Sequence, residues 1–259
     1  MRTGSHRPSA GFTIIELAVA MFLVALLFGG VFVPLKSQVE RRKIDGTVQV
    51  LEKAREALLG YAATRGYFPC PADAASGGEE AAGSDHASGE CPAYHGFLPA
   101  VTLGIASADA NGYALDAWGT AANRIRYAVA KQGTGGASNT FTRVNGMRSA
   151  GISNLTDTAL SLLHVCGRAQ GVSAAVSCGT APTLVSTAPV VMWSVGANAA
   201  TGGMSADEAQ NPNPNGGSAD RIFVSRVASD MPGNEFDDII AWIPVPILIG
   251  RMVAAGQLP

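Results

Sequence analysis

Charge is scarce in this chain. Only 15% of its 259 residues are Asp, Glu, Lys or Arg, and 18 basic against 20 acidic side chains leave a formal net charge of −2. That balance offers no basic stripe to follow a phosphate backbone, so nucleic acid is not an expected partner. Catalytic signatures are missing as well. The glycine-rich stretch at residues 133–138 is not followed by Gly-Lys-Ser/Thr, so it cannot cradle phosphates and is expected to be a hairpin loop. There is no G-x-S-x-G nucleophile elbow. Cys70, Cys91 and His95 lack the C-x2-C spacing of a zinc site. His86 and His164 stand apart in sequence and are expected on the surface and on a helix. Internal repeats are also absent. An enzyme is not expected.

Apolar and small residues are plentiful. The chain is 47% hydrophobic and holds 31 glycines, which suits a loop-rich domain with a sizeable core and not a coiled coil. The four cysteines, Cys70, Cys91, Cys166 and Cys178, are an even number in a chain with a membrane-targeting segment. This points to disulfides in an oxidising compartment. Sequence order favours Cys70–Cys91 and Cys166–Cys178, with the other two connectivities left open.

The N-terminal segment is the most informative. Residues 1–11 are polar and carry Arg2 and Arg7; residues 17–33 are uncharged and apolar, ending at Pro34. With residues 12–15 included, the stretch is just long enough to cross a bilayer as a helix. The basic leader places the N-terminus on the cytoplasmic side, although Arg41, Arg42 and Lys43 beyond the run weaken that signal. An ordinary secretory signal would have a shorter apolar core and a small-residue cleavage site after it. A plain anchor leaves Glu16 unexplained, because a carboxylate inside an apolar span is costly and is a functional candidate by default.

The string Gly11-Phe12-Thr13-Ile14-Ile15-Glu16-Leu17 resembles the cleavage and methylation signature of type IV pilins and type II secretion pseudopilins. The resemblance implies cutting between Gly11 and Phe12 by a separate prepilin peptidase, then N-methylation of Phe12. Loss of Arg2 and Arg7 would lower Lys+Arg to 16 and bring the formal charge to −4. It further implies a helix used first as a single-pass inner-membrane anchor in lipid and then as filament core. Glu16 would serve assembly, with an inner-membrane assembly platform and other subunits as partners. The globular part would stand in the periplasm or, after assembly, on the cell surface. A membrane-anchored adhesin or substrate-binding tip subunit is the alternative.

Four segments are therefore expected: a leader (1–11), a membrane and filament-core helix (12–35), an amphipathic continuation (36–64) and a globular domain (65–259). Ile44, Val48, Leu51, Leu58 and Ala62 recur on one helical face. One helix over residues 13–64 is predicted, bent or loosened at Gly29-Gly30 and Pro34, with Gly46 a further weak point. Residues 76–90 are expected as a loop. Strands are predicted at 125–130, 190–195, 222–227 and 239–245, and short helices at 158–169 and 246–256. The fold class is α+β: a long N-terminal helix packed on an antiparallel sheet with long loops, pilin-like. Trp118, Trp193 and Trp242 are expected in the core or sheet.

A second likeness lies in the globular part. Asp116-Ala117-Trp118-Gly119 with Ile125-Arg126-Tyr127, and Ser194-Val195-Gly196-Ala197-Asn198 with Asp237-Asp238-Ile239 and Trp242, resemble segments of the major pseudopilin of type II secretion. The long loop over residues 201–235 and the insertions around the cysteines depart from that family's pattern. Glu235, Asp237 and Asp238 have two readings, a solvated turn or a calcium site. The resemblance implies calcium at Asp237 and Asp238, with Asn198 standing where the family has Asp.

Overall fold

The computed structural model describes residues 13–105, 109–131, 139–156, 162–173, 177–201, 205–211 and 221–259, with the backbone alone for residues 26–36. The chain divides into two units, Met1–Lys43 and Ile44–Pro259. One helix, α1 (Ile14–Arg65), contributes to both. It runs through Gly29-Gly30 and Pro34 as helix, where the sequence predicts a loosening.

In the first unit, every described side chain from Ile14 to Ala25 is exposed, including Ile15, Leu17, Phe22 and Val24. Among the described residues nothing buries this apolar surface. Among the described residues no helix is long and apolar enough to cross a membrane. The side chains of residues 26–36, which complete the apolar run, lie outside the described ones.

The second unit contains the core. Its part of α1 buries Leu51, Ala54, Leu58 and Ala62, spaced by three and four as one helical face requires. The buried stripe differs from the expected one at its start. Val48 is exposed, and Thr47 is buried in its place because the Thr47 hydroxyl accepts the Ala117 N–H at 3.1 Å. Gly46 earns its position on the same contact, since a Cβ there would stand 3.1 Å from the Ala117 methyl.

The main sheet is antiparallel throughout, in the order β1 (His95–Phe97), β2 (Arg126–Val129), β5 (Val190–Ser194), β7 (Ile239–Ile243). All five residues of β5 are buried, as expected of a central strand covered on both faces. The register aligns Phe97, Arg126, Trp193 and Ile240 on one face. There the Trp193 ring meets Phe223 at 4.9 Å and His95 meets Phe223 at 5.7 Å. Tyr127 points to the opposite face, where its hydroxyl donates to the Pro69 carbonyl just beyond α1. Phe223 belongs to a second, three-stranded sheet ordered β4 (Thr183–Ala188), β3 (Leu163–Cys166), β6 (Ile222–Val224).

That second sheet corrects two expectations. The region predicted as a helix at 158–169 forms β3; residues 157–161 lie outside the described ones, and the helix lies earlier, as α2 (Gly146–Leu155). A short apolar run such as 162–166 fits a buried strand as well as a helix, and pairing with two neighbours decides it. His164 accordingly sits on a strand. The strand predicted at 222–227 does not join the antiparallel sheet; it is β6 and runs parallel to β3. Among the described residues the remaining α-helices are α3 (Ala206–Ala209) and α4 (Val245–Ala254), the latter matching the apolar C-terminal helix and burying Val245, Leu248 and Met252. Trp193 is in the core and Trp242 partly buried on β7, while Trp118 is half-buried in a turn. Cys70 is bonded to Cys91 and Cys166 to Cys178, closing two local loops.

Candidate functional site

Gly11 and Phe12 lie outside the described residues. Thr13 opens α1, its carbonyl and hydroxyl both accepting the Glu16 N–H, at 3.1 and 3.4 Å. Glu16 is thereby held in the first helical turn, where a carboxylate complements the positive end of the helix dipole. It is exposed in an otherwise apolar surface formed by Ile14, Ile15 and Leu17.

The globular unit has a polar centre at Asp116. Its buried carboxylate accepts four hydrogen bonds. Oδ1 takes the Trp118 and Gly119 N–H groups at 2.8 and 3.4 Å; Oδ2 takes Asn123 Nδ2 at 3.0 Å and the Ser194 hydroxyl at 2.5 Å. Ser194 Oγ accepts the Gly196 N–H, and Asn123 Nδ2 donates to the Gly196 carbonyl at 2.6 Å. Gly196 has φ +64°, and a Cβ there would stand 2.4 Å from the Asp237 carboxyl carbon. Only glycine combines that backbone with that approach. Asp237 Oδ2 then accepts the Ala197 and Asn198 N–H groups at 2.7 and 3.0 Å. The two separate likenesses in the globular part, at 116–127 and at 194–198 with 237–242, are one hydrogen-bonded structure.

Beside this network, three carboxylates come close. Glu208 from α3 is buried; Asn198 Nδ2 donates to both of its oxygens and the Asp237 N–H donates to Oε1 at 2.9 Å. Asp238 Oδ2 accepts Asn211 Nδ2 at 2.7 Å, while the same Asn211 side chain pairs with the Val224 backbone as a strand would. Burial raises the Asp237 pKa to about 6, against its backbone hydrogen bonds, with Glu208 adding repulsion. Burial likewise raises the Asp238 pKa to about 8, against the bond from Asn211 and with repulsion from Asp237 and Glu208. Asp237 Oδ1 is buried without a hydrogen-bond partner. Among the described residues, these carboxylates do not bring three ligand oxygens within 4.8 Å of one another. Glu208 was not singled out in the sequence, because its isolated Asp-Glu pair inside a long polar loop carries no ligand spacing.

His86, expected as an isolated surface residue, is instead half-buried with Nε2 2.7 Å from Glu80 Oε2. Burial opposes its positive charge, but the hydrogen bonds to Glu80 and to the Thr142 carbonyl prevail and hold its pKa above the ordinary value.

Comparison with known proteins bears on one end of the chain. The model of the prokaryotic N-terminal methylation motif matches residues 6–32. This chain carries the type IV pilin and pseudopilin signature. No curated protein and no solved structure matches it. The pilin signature covers Gly11, Phe12 and Glu16, and by family it implies processing by prepilin peptidase and assembly with other pilin-type subunits. The Asp116 network lies outside the matched residues.

Removing the centre of that network should be costly. Asp116→Ala leaves several buried donors unpaired and is expected to lower stability by about 3 kcal/mol. Ser194→Ala should cost about 1 kcal/mol. Denaturant unfolding of the full chain in detergent measures both; equal, small effects would show that Asp116 organises nothing.

The raised carboxylates set a pH dependence. Their folded pKa values lie above the unfolded ones, so their contribution is fully present below about pH 4. It is lost as pH rises through about 6 for Asp237 and about 8 for Asp238. With chelator present, melting temperature should therefore fall from pH 5 to pH 8.5. Asp238→Asn should flatten that fall and melt higher than the parent at pH 8.5; an unchanged profile would contradict the burial argument.

Proposed function

We propose that this chain is a structural subunit, a pilin or pseudopilin, of a type IV pilus or type II secretion filament. It is made as a precursor, cut between Gly11 and Phe12, and N-methylated at Phe12. The helix of residues 12–35 holds the chain in the inner membrane as a single pass until assembly and then lies in the filament core. The globular unit stands in the periplasm or on the cell surface. The observation that carries this reading is the exposed apolar surface of residues 14–25 with one carboxylate, Glu16, set within the methylation signature. Such a surface requires lipid or the same helices of neighbouring subunits around it.

Cleavage would create a positive amine on Phe12, one helical turn from Glu16. Both charges are costly in an apolar core unless paired. A neighbour's amine meeting Glu16 neutralises both only at one axial offset, which makes the pair a register device. Glu16→Val is expected to leave membrane insertion and cleavage intact while reducing filament yield at least tenfold, with Leu17→Val as control. Normal filaments from Glu16→Val would contradict the role. Loss of adhesion with filaments intact on deletion of the chain would favour the adhesin or tip subunit instead.

Calcium at Asn198, Asp237 and Asp238, joined by Glu208, is part of the same reading. It is supported by the orphaned Asp237 Oδ1 and by buried carboxylates whose charge a hard cation would offset. Millimolar calcium should raise the melting temperature at pH 8.5 relative to chelator. No shift would leave a proton-sharing cluster.

A further inference from the structure

The loop joined by Cys70 and Cys91 contains polar side chains aimed at the bridge itself. Cys70 is fully buried and Cys91 nearly so. Glu80 Oε2 accepts the Cys70 N–H at 3.1 Å, and its Oε1 accepts the Tyr61 hydroxyl at 3.3 Å. His86 Nε2 lies 2.7 Å from the same Glu80 Oε2, and Nδ1 lies 2.8 Å from the Thr142 carbonyl oxygen. Tyr67 packs on the His86 ring at 4.3 Å. One ligand atom from each of Cys70, Glu80 and His86 lies within 4.8 Å of the other two.

The hydrogen bonding fixes what this cluster can hold. A carbonyl oxygen only accepts, so His86 Nδ1 carries a hydrogen. Nε2 then faces a Glu80 oxygen at 2.7 Å, a gap that holds one shared proton while the disulfide is closed. Nδ1–H on a carbonyl with Nε2 directed inward is also how a metal-ligating histidine is held, and Glu80 is oriented by two donors of its own. Opening the bridge frees Cys70 Sγ, already in this group, and Cys91 Sγ, which the bridge bonds to it. Two thiolates, one imidazole and one carboxylate make a four-donor set of the kind that binds zinc tetrahedrally. A disulfide sulfur is not a thiolate, so bridge and metal exclude each other.

We propose that the reduced chain binds one zinc-class divalent cation through Cys70, Cys91, Glu80 and His86, and that closing the Cys70–Cys91 bridge expels it. Reduction by a dithiol breaks the S–S bond, yields two thiols on this chain and leaves the reductant as a disulfide. Metal entry then releases both thiol protons and the His86 Nε2 proton as two metal–sulfur, one metal–nitrogen and one metal–oxygen bonds form. In the reverse direction a disulfide-class oxidant takes two electrons from the thiolates and two protons from solvent. The S–S bond forms, the ion leaves and Nε2 regains a proton. The site would gather Cys70 and Cys91 before oxidation and so keep them from pairing with Cys166 or Cys178. It does not depend on the filament role.

The test uses the full chain in detergent, with Cys166→Ser and Cys178→Ser to isolate the site, reduced by a phosphine and titrated with cobalt(II). The expected result is one cobalt per chain, with a sulfur-to-metal charge-transfer band and the visible bands of tetrahedral cobalt, displaced by one equivalent of zinc. The oxidised chain should bind none, and His86→Ala and Glu80→Ala should each weaken zinc binding about 10-fold or more. The proposal is overturned if the reduced chain takes up no cobalt, whatever its circular dichroism. Equal uptake by the oxidised chain, or undiminished binding in both single variants, also overturns it.

Discussion

A buried carboxylate is costly unless its oxygens are hydrogen-bonded, and at Asp116 both are. Its four donors come from its own turn, from Asn123 and from the end of the central strand at Ser194. Through Ala117 and Thr47 the same turn is bonded to the helix, and through Gly196 it reaches Asp237. Helix, sheet and C-terminal loop are thus referenced to one side chain. The neighbouring carboxylates are the consequence: with Asp237 drawn against Gly196, and Glu208 against Asn198, negative charge accumulates where little water can screen it.

The N-terminal unit follows a different constraint. Among the described residues, its side chains from residue 14 to 25 are all exposed. A helix with apolar residues on all sides is stable only where the surroundings are apolar too, in lipid or among like helices. The methylation signature at residues 6–32 includes this exposed apolar surface. Glu16 is the polar exception, held in the first turn by its own backbone bond to Thr13.

Much of the fold was legible in the sequence. The helical spacing of Leu51, Leu58 and Ala62, and the apolar runs of β2, β5, β7 and α4, appear where periodicity places them. Residues 162–166 were not, because a five-residue, mostly apolar run carries no period and its identity as a strand depends on partners far away in sequence. The same holds for β6, whose place in a second sheet is set by the parallel pairing with β3. Of the candidate sites, Asp237 and Asn198 were visible as neighbours of recognisable motifs. Glu208, and the Glu80–His86 pair, were hidden because their contacts are made by folding and leave no spacing to read. Thr47 is no part of the apolar stripe that periodicity marks, yet its hydroxyl contact with Ala117 turns it in.

The proposed role is that of a processed, helix-anchored filament subunit. It is tested most directly by intact-mass and N-terminal analysis of the protein recovered from membranes of cells that express a prepilin peptidase. The expected product is a mature chain beginning at N-methyl-Phe12, with Gly11 and all that precedes it gone. A retained leader, or a cut beyond the apolar segment that removes Glu16, would contradict it.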